Sequence, residues 1–129
     1  MRGERKRNDL PARTFSFACR AVKLCRILEK TPGVPRRLAD QLLRAATSIG
    51  ANVEEGQASQ SKADFVAKYS IACKEAREAH YWLRLLVATQ LVPASRLSAM
   101  VDEANQLVAI LTSIVKKCRT SEGNGAQNG

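Results

Sequence analysis

Prolines stand at only four positions of this chain, 11, 32, 35 and 93, and they cut it into segments whose apolar residues recur with a helical period. Proline is tolerated in a first helical turn and breaks a helix interior. Pro11 therefore opens the first segment, and the other three fall in or beside connections. The spacing predicts four helices, over about 11–30, 35–55, 62–90 and 94–119. No stretch alternates β-branched residues with period two, and the remaining connections are short. The expected fold class is all-α, an up-down-up-down four-helix bundle. At 129 residues the chain holds one such domain with its own core. The division expected is a basic arm at 1–9, a bundle at 10–119, and a Gly-, Asn-, Gln- and Ser-containing tail at 120–129 that reads as disordered.

In the first segment Phe17, Ala18, Ala21, Val22, Leu24, Cys25 and Leu28 form one broad apolar face. Leu38, Leu42, Ala45, Ala46, Ile49 and Val53 do the same in the second, where Gly56 is placed to end the helix as a left-handed cap. Ser61 followed by Asp64 reads as a capping box for the third. The fourth, from Leu97 through Met100, Ala104, Leu107, Leu111 and Val115 to Cys118, is the most regular.

Charge is distributed unevenly. Lys and Arg number 21 against 12 Asp and Glu, and the residues up to Arg44 carry 12 − 4 = +8 of the net +9. Arg13, Arg20, Lys23 and Lys30 share one side of the first helix, Arg26 flanks them, and Arg36 and Arg37 enter the second. Clustered cations gain affinity for polyanions by releasing counterions, so RNA or DNA bound through phosphates is the first partner to consider. The plain alternative is a solvated surface that serves solubility. Aromatic residues are scarce in this region, which limits base stacking and leaves backbone contacts.

Catalysis finds no support in the residues. His80 is the only histidine and has no convincing nucleophile beside it. Gly50 and Gly56 close a helix instead of opening one and lack the Lys-Ser/Thr of a phosphate loop. Cys19, Cys25, Cys73 and Cys118 lie in apolar stretches without metal-ligand or redox spacing, and read as reduced core residues of a cytoplasmic protein. No metal and no cofactor are expected. No apolar run approaches the roughly 20 residues that a membrane span needs.

The third helix carries two apolar stripes. Phe65, Tyr69, Ala72, Ala76, Ala79, Leu83 and Leu86 mark the core face. Ile71, Glu78, Trp82 and Leu85, with Glu75 at the border, form a second stripe that a solvated face should not carry. A partner surface explains it, with Glu75 and Glu78 as candidates to pair across it with Arg. The alternative is that Trp82 covers a loop.

The order of residues from Arg44 to Gly56, RAATSIGANVEEG, resembles the motif ending the second helix of the bacterial four-helix bundle proteins found in intervening sequences of 23S ribosomal RNA. Ser61 to Phe65 and Lys74 to Leu86 are similar to that family's third helix. The likeness spans about Leu10 to Lys117, and Val53-Glu54 stands where Ile-Ala is more usual. It implies a bundle assembled as a ring-like homo-oligomer, commonly a pentamer. It also implies a relation to the accessory variability determinants of diversity-generating retroelements, basic bundles that bind nucleic acid and a reverse transcriptase. The motif residues carried onto this chain, Asn52, Glu55, Gly56, Glu75, Glu78, Tyr81 and Trp82, are implied to be structural or interfacial.

Overall fold

The computed structural model describes residues 9–128, with side chains as far as Ser121. Four helices follow one another, α1 (Leu10–Leu28), α2 (Val34–Gln57), α3 (Lys62–Ala88) and α4 (Ala94–Asn128), and no strand occurs among the described residues. Pro11 and Pro35 sit in first turns, where the absent N–H is not missed. Gly33 turns the chain into α2 at φ 90°, a conformation that side chains resist. The Ser61 hydroxyl accepts from the Asp64 N–H at 3.0 Å, so α3 opens on the expected cap.

The far end of α3 stops two residues before the expected Gln90. Gln90 adopts φ 62°, and the N–H groups of Gln90 and Leu91 donate back to the carbonyls of Val87 and Leu86 at 3.0 and 3.1 Å. This is a Schellman ending, built on glutamine where glycine is usual.

The core fills the space between the four helices. Phe17, Ala21 and Cys25 from α1 meet Leu42, Ala46, Ile49 and Val53 from α2, Tyr69, Ala76, Leu83 and Leu86 from α3, and Met100, Leu107 and Leu111 from α4. Alanines at 21, 45, 46, 72, 76, 79 and 104 are fully buried, which lets the helices approach closely. Neighbouring helices in the sequence pack along their lengths, whereas α1 and α4 meet sparsely.

Several expectations need correction. Gly56 is no left-handed cap: α2 continues to Gln57 and is closed by Ala58 in a right-handed conformation. Its role is spatial, because the Tyr69 ring occupies the place a side chain would take. Val22 lies outside the core on the solvent side of α1, beside Phe15, which is 63% exposed. Phe65 is half-buried against the core and stacks on Tyr69 with centroids 4.1 Å apart, while Val66 beside it is buried outside the main cluster. Cys25 and Cys73 are buried, but Cys19 is exposed and Cys118 half-buried. Cys19 stands two residues from Phe17, about 200° around the helix and so away from the core. Helix α4 extends through the residues placed in the tail as far as Asn128. Of the basic arm at 1–9, only Asp9 lies within the described residues.

Candidate nucleic-acid interface

Burial of Leu10, Phe17, Ala21, Cys25 and Leu28 fixes the rotation of α1 and turns Arg20, Lys23, Arg26 and Lys30 outward. Arg20, Lys23 and Arg26 lie on the C-terminal half of the helix, and Lys30 lies in the turn that follows it. None of them is paired with a carboxylate among the described residues. Arg20 and Lys23, joined by Arg96 from α4, rim a groove of about 330 Å³ floored by Leu24, Ile27, Leu91, Val92 and Pro93. Ile27 is 57% exposed at its edge. Arg37 is exposed at the start of α2. Arg36 is also exposed and donates from Nε to the Glu29 carbonyl at 2.9 Å, which ties the end of α1 to the start of α2. Six of the seven expected basic residues thus occupy one region around the α1–α2 connection.

Arg13 does not belong to that surface. Its guanidinium reaches α4, where Nε and Nη2 grip the two oxygens of Glu103 at 3.0 and 2.6 Å and Nη2 also donates to Gln106 at 3.0 Å. The paired side chains are 13% and 21% exposed. The Glu103 hydrogen bonds raise the Arg13 pKa further above its ordinary value despite partial burial. A fork held this way is a strut between two helices that otherwise touch little.

The second stripe of α3 faces α2 as much as solvent. Arg44 on α2 donates to Glu78 and stands 3.6 Å from Glu75, so these carboxylates find their arginine within the chain and not across an interface. Trp82 donates from Nε1 to Glu78 at 3.2 Å and packs against the core, with Tyr81 edge-on at 5.2 Å. Leu85 is half-buried. Of the stripe's apolar residues only Ile71, at 43%, remains openly exposed, with Tyr81 on its flank at 50%. Glu75 is buried, and its Oε2 accepts no hydrogen bond. The motif residues of α2 also act locally: Asn52 donates to the Ser48 carbonyl at 2.8 Å, and Glu55 pairs with Lys68 at 3.2 Å.

Among the described residues no three His, Cys, Asp or Glu side chains gather to hold a metal ion, and no helix is long and apolar enough to cross a membrane. His80 is half-buried between α3 and α4 beside Arg84. Burial first, and the positive Arg84 second, push its pKa below the usual histidine value and favour the neutral ring.

Residues 6–113 match the 23S rRNA-intervening sequence protein family. The chain belongs to that family. It is similar to a crystal structure at 1.70 Å from Bacteroides thetaiotaomicron VPI-5482, a protein with unknown function from the S23 ribosomal protein family. The TM-score is 0.76 at 36% identity, over 83% of this chain and 98% of that one. No curated protein matches. Within this chain the motif residues Glu75, Glu78 and Trp82 serve the α2–α3 contact. Arg44, which organises them, is the first residue of the quoted motif. Nothing in its sequence position signals a partner 34 residues away.

Proposed function

We propose that this protein is a non-enzymatic, homo-oligomeric helical bundle that binds RNA or DNA through phosphates and acts as an adaptor in a nucleoprotein complex. The observation that carries the reading is the group of Arg20, Lys23, Arg26, Lys30 and Arg37, exposed together and unpaired with carboxylates among the described residues. Such a surface attracts a polyanion at long range and holds its backbone with weak sequence preference. A ring of copies, as the family likeness implies, repeats the patch and converts weak contacts into avidity. A reverse transcriptase is a candidate protein partner on the same likeness. The apolar floor that Arg20 and Lys23 share in one groove favours a second reading, a protein-interaction scaffold without nucleic acid.

A salt titration of binding to RNA, duplex DNA and heparin separates the two. The nucleic-acid reading expects affinity that falls steeply with ionic strength, by about 0.9 in the log–log slope for each duplex phosphate neutralised. Replacing Arg20 and Lys23 together with Glu weakens it strongly without changing helicity or mass. Binding by that double variant as tight as the parent's makes the patch a solvated surface, and a parent that binds neither RNA nor DNA leaves the scaffold.

A further inference from the structure

A second basic site lies on the other half of the bundle, between α3 and α4. Lys74 and Arg77 from α3 and Lys116 and Arg119 from α4 line one groove of about 280 Å³, together with Ser70, Cys73, Thr112 and Val115. All four cations are exposed, and none is paired with a carboxylate among the described residues. Two of them are aimed without being neutralised. Arg77 reaches across to the Thr112 hydroxyl at 3.5 Å, and Arg119 reaches back to the Ser70 hydroxyl at 3.3 Å. Cys73 and Thr112 are joined at 3.2 Å on the floor between them. The groove therefore offers four positive charges and two hydroxyls, with Val115 as its one aliphatic side chain.

Its order comes from the sequence. Ser70, Lys74 and Arg77 are spaced i, i+4, i+7 on α3, and Thr112, Lys116 and Arg119 repeat that spacing on α4. On antiparallel helices these become two facing rows, each about 10 Å long at 1.5 Å per residue. Like charges held so close are unfavourable unless an anion lies between them. One compact anion engages only part of a row, whereas phosphates repeating along a chain engage its length. A lipid surface would need apolar side chains beside the cations, and Val115 alone supplies one. The overall charge balance hides the site, because the residues after Arg44 sum to only 9 − 8 = +1. Folding moves the acids Glu75 and Glu78 to the α2 side and leaves the cations together.

We infer that the groove between α3 and α4, lined by Lys74, Arg77, Lys116 and Arg119, seats the sugar-phosphate backbone of one nucleic-acid strand as a second site on each subunit. The inference rests on the nucleic-acid reading above and gives it a second contact. This groove lies near the start of α3 and toward the end of α4, whereas the α1 patch adjoins the turn between them.

The test is anisotropy of a short labelled single-stranded RNA titrated with salt against the full chain. The unmodified protein is compared with Arg77→Gln/Arg119→Gln, Lys74→Gln/Lys116→Gln and Arg20→Gln/Lys23→Gln. Each groove pair lowers the slope of log K against log salt by about 1.4, twice the ~0.7 per phosphate of a single strand, with circular dichroism unchanged. Agreement between the two groove pairs excludes a folding effect in one of them. An unchanged slope in both, with loss only in Arg20→Gln/Lys23→Gln, overturns the groove and leaves the α1 surface as the site. Failure of the unmodified protein to bind RNA overturns both. Inorganic tripolyphosphate that displaces RNA at equal phosphate concentration, or phosphatidylglycerol vesicles bound as tightly as RNA, overturns the nucleic-acid strand as the occupant.

Discussion

The ring of Tyr69 lies so close over Gly56 that a Cβ on residue 56 would stand 2.6 Å from both Cδ1 and Cε1. Tyr69 is held there by its stack on Phe65 and by Gln57, which donates to the phenol oxygen at 2.7 Å. Ordinarily Gly→Ala within a helix gains up to about 1 kcal/mol of stability. Here the ring must move, and overpacking costs about 1–3 kcal/mol. Gly56→Ala is expected to lower stability by about 1–2 kcal/mol in urea unfolding. Stabilisation by the substitution would mean that the ring shifts freely.

Gln90 calls for the opposite change. It holds φ 62° to close α3, and a left-handed residue with a Cβ costs about 1–2 kcal/mol relative to glycine. Gln90→Gly keeps both backbone hydrogen bonds of the turn and is expected to raise stability by up to about 1 kcal/mol, the flexibility of the unfolded chain offsetting part of the gain. A fall in the unfolding midpoint would show that the Gln90 side chain contributes more than its backbone strain removes.

These two positions show where the sequence is legible. Prolines 11 and 35, the Ser61 cap and the apolar periods of α2 and α4 are local signals, and the helices they predict are present and start within a few residues of the expected positions, although α4 runs on to Asn128. Gly56 carried the signal of a helix end, but its reason is a ring 13 residues away that no local pattern encodes. Arg13 has the same character. On a helical wheel it belongs with Arg20 and Lys23, and only the approach of α4 turns it into a strut. The second stripe of α3 was visible, yet its arginine came from the same chain, because Arg44 lies on the neighbouring helix face.

Arg13→Ala is expected to cost about 2 kcal/mol, since it leaves Glu103 half-buried without its fork, and hydrogen bonds to charged groups contribute about 1.5–3 kcal/mol. Arg13→Lys recovers only part of this, as an ammonium cannot grip both oxygens. Lys68→Ala, which removes an exposed pair with Glu55, is expected to change stability by less than about 1 kcal/mol. Equal losses in Arg13→Ala and Lys68→Ala would place the Arg13 pair among ordinary surface pairs. RNA affinity of Arg13→Ala should match the parent's.

The thiols divide by burial. Burial, with Asp40 and Glu29 nearby, raises the Cys25 pKa from 9.0 to about 11, and its Sγ donates to the Ala39 carbonyl at 3.3 Å. Its thiolate is scarce at neutral pH, so a maleimide is expected to modify exposed Cys19 at once and Cys25 only on unfolding. Because the folded pKa is the higher one, the contribution of Cys25 to stability is complete below about 9 and is lost as pH rises toward 11. Unfolding midpoints of the parent and Cys25→Ala should therefore converge across that range. Rapid native modification of Cys25 would show the helix junction opening readily.

Self-association is expected to use the part of α3 that its own chain leaves uncovered. Trp82 and Glu78 are engaged with Arg44, so Trp82→Ala would weaken the subunit itself and report ambiguously on assembly. Ile71 and Tyr81 are the openly exposed members of that surface, and Ile71→Lys with Tyr81→Lys removes the apolar contact without opening the core. Light scattering of this double variant should give the 14.1 kDa subunit mass, with helicity and unfolding midpoint close to those of a dissociated parent. The parent should give a multiple of that mass. If the parent also runs at 14.1 kDa across a wide concentration range, the α3 face is solvent-facing and the ring is wrong. If the double variant keeps the parent's multiple, the contact lies elsewhere, and Phe15, Val22 and Ile27, the exposed apolar residues of α1, are the next positions to change.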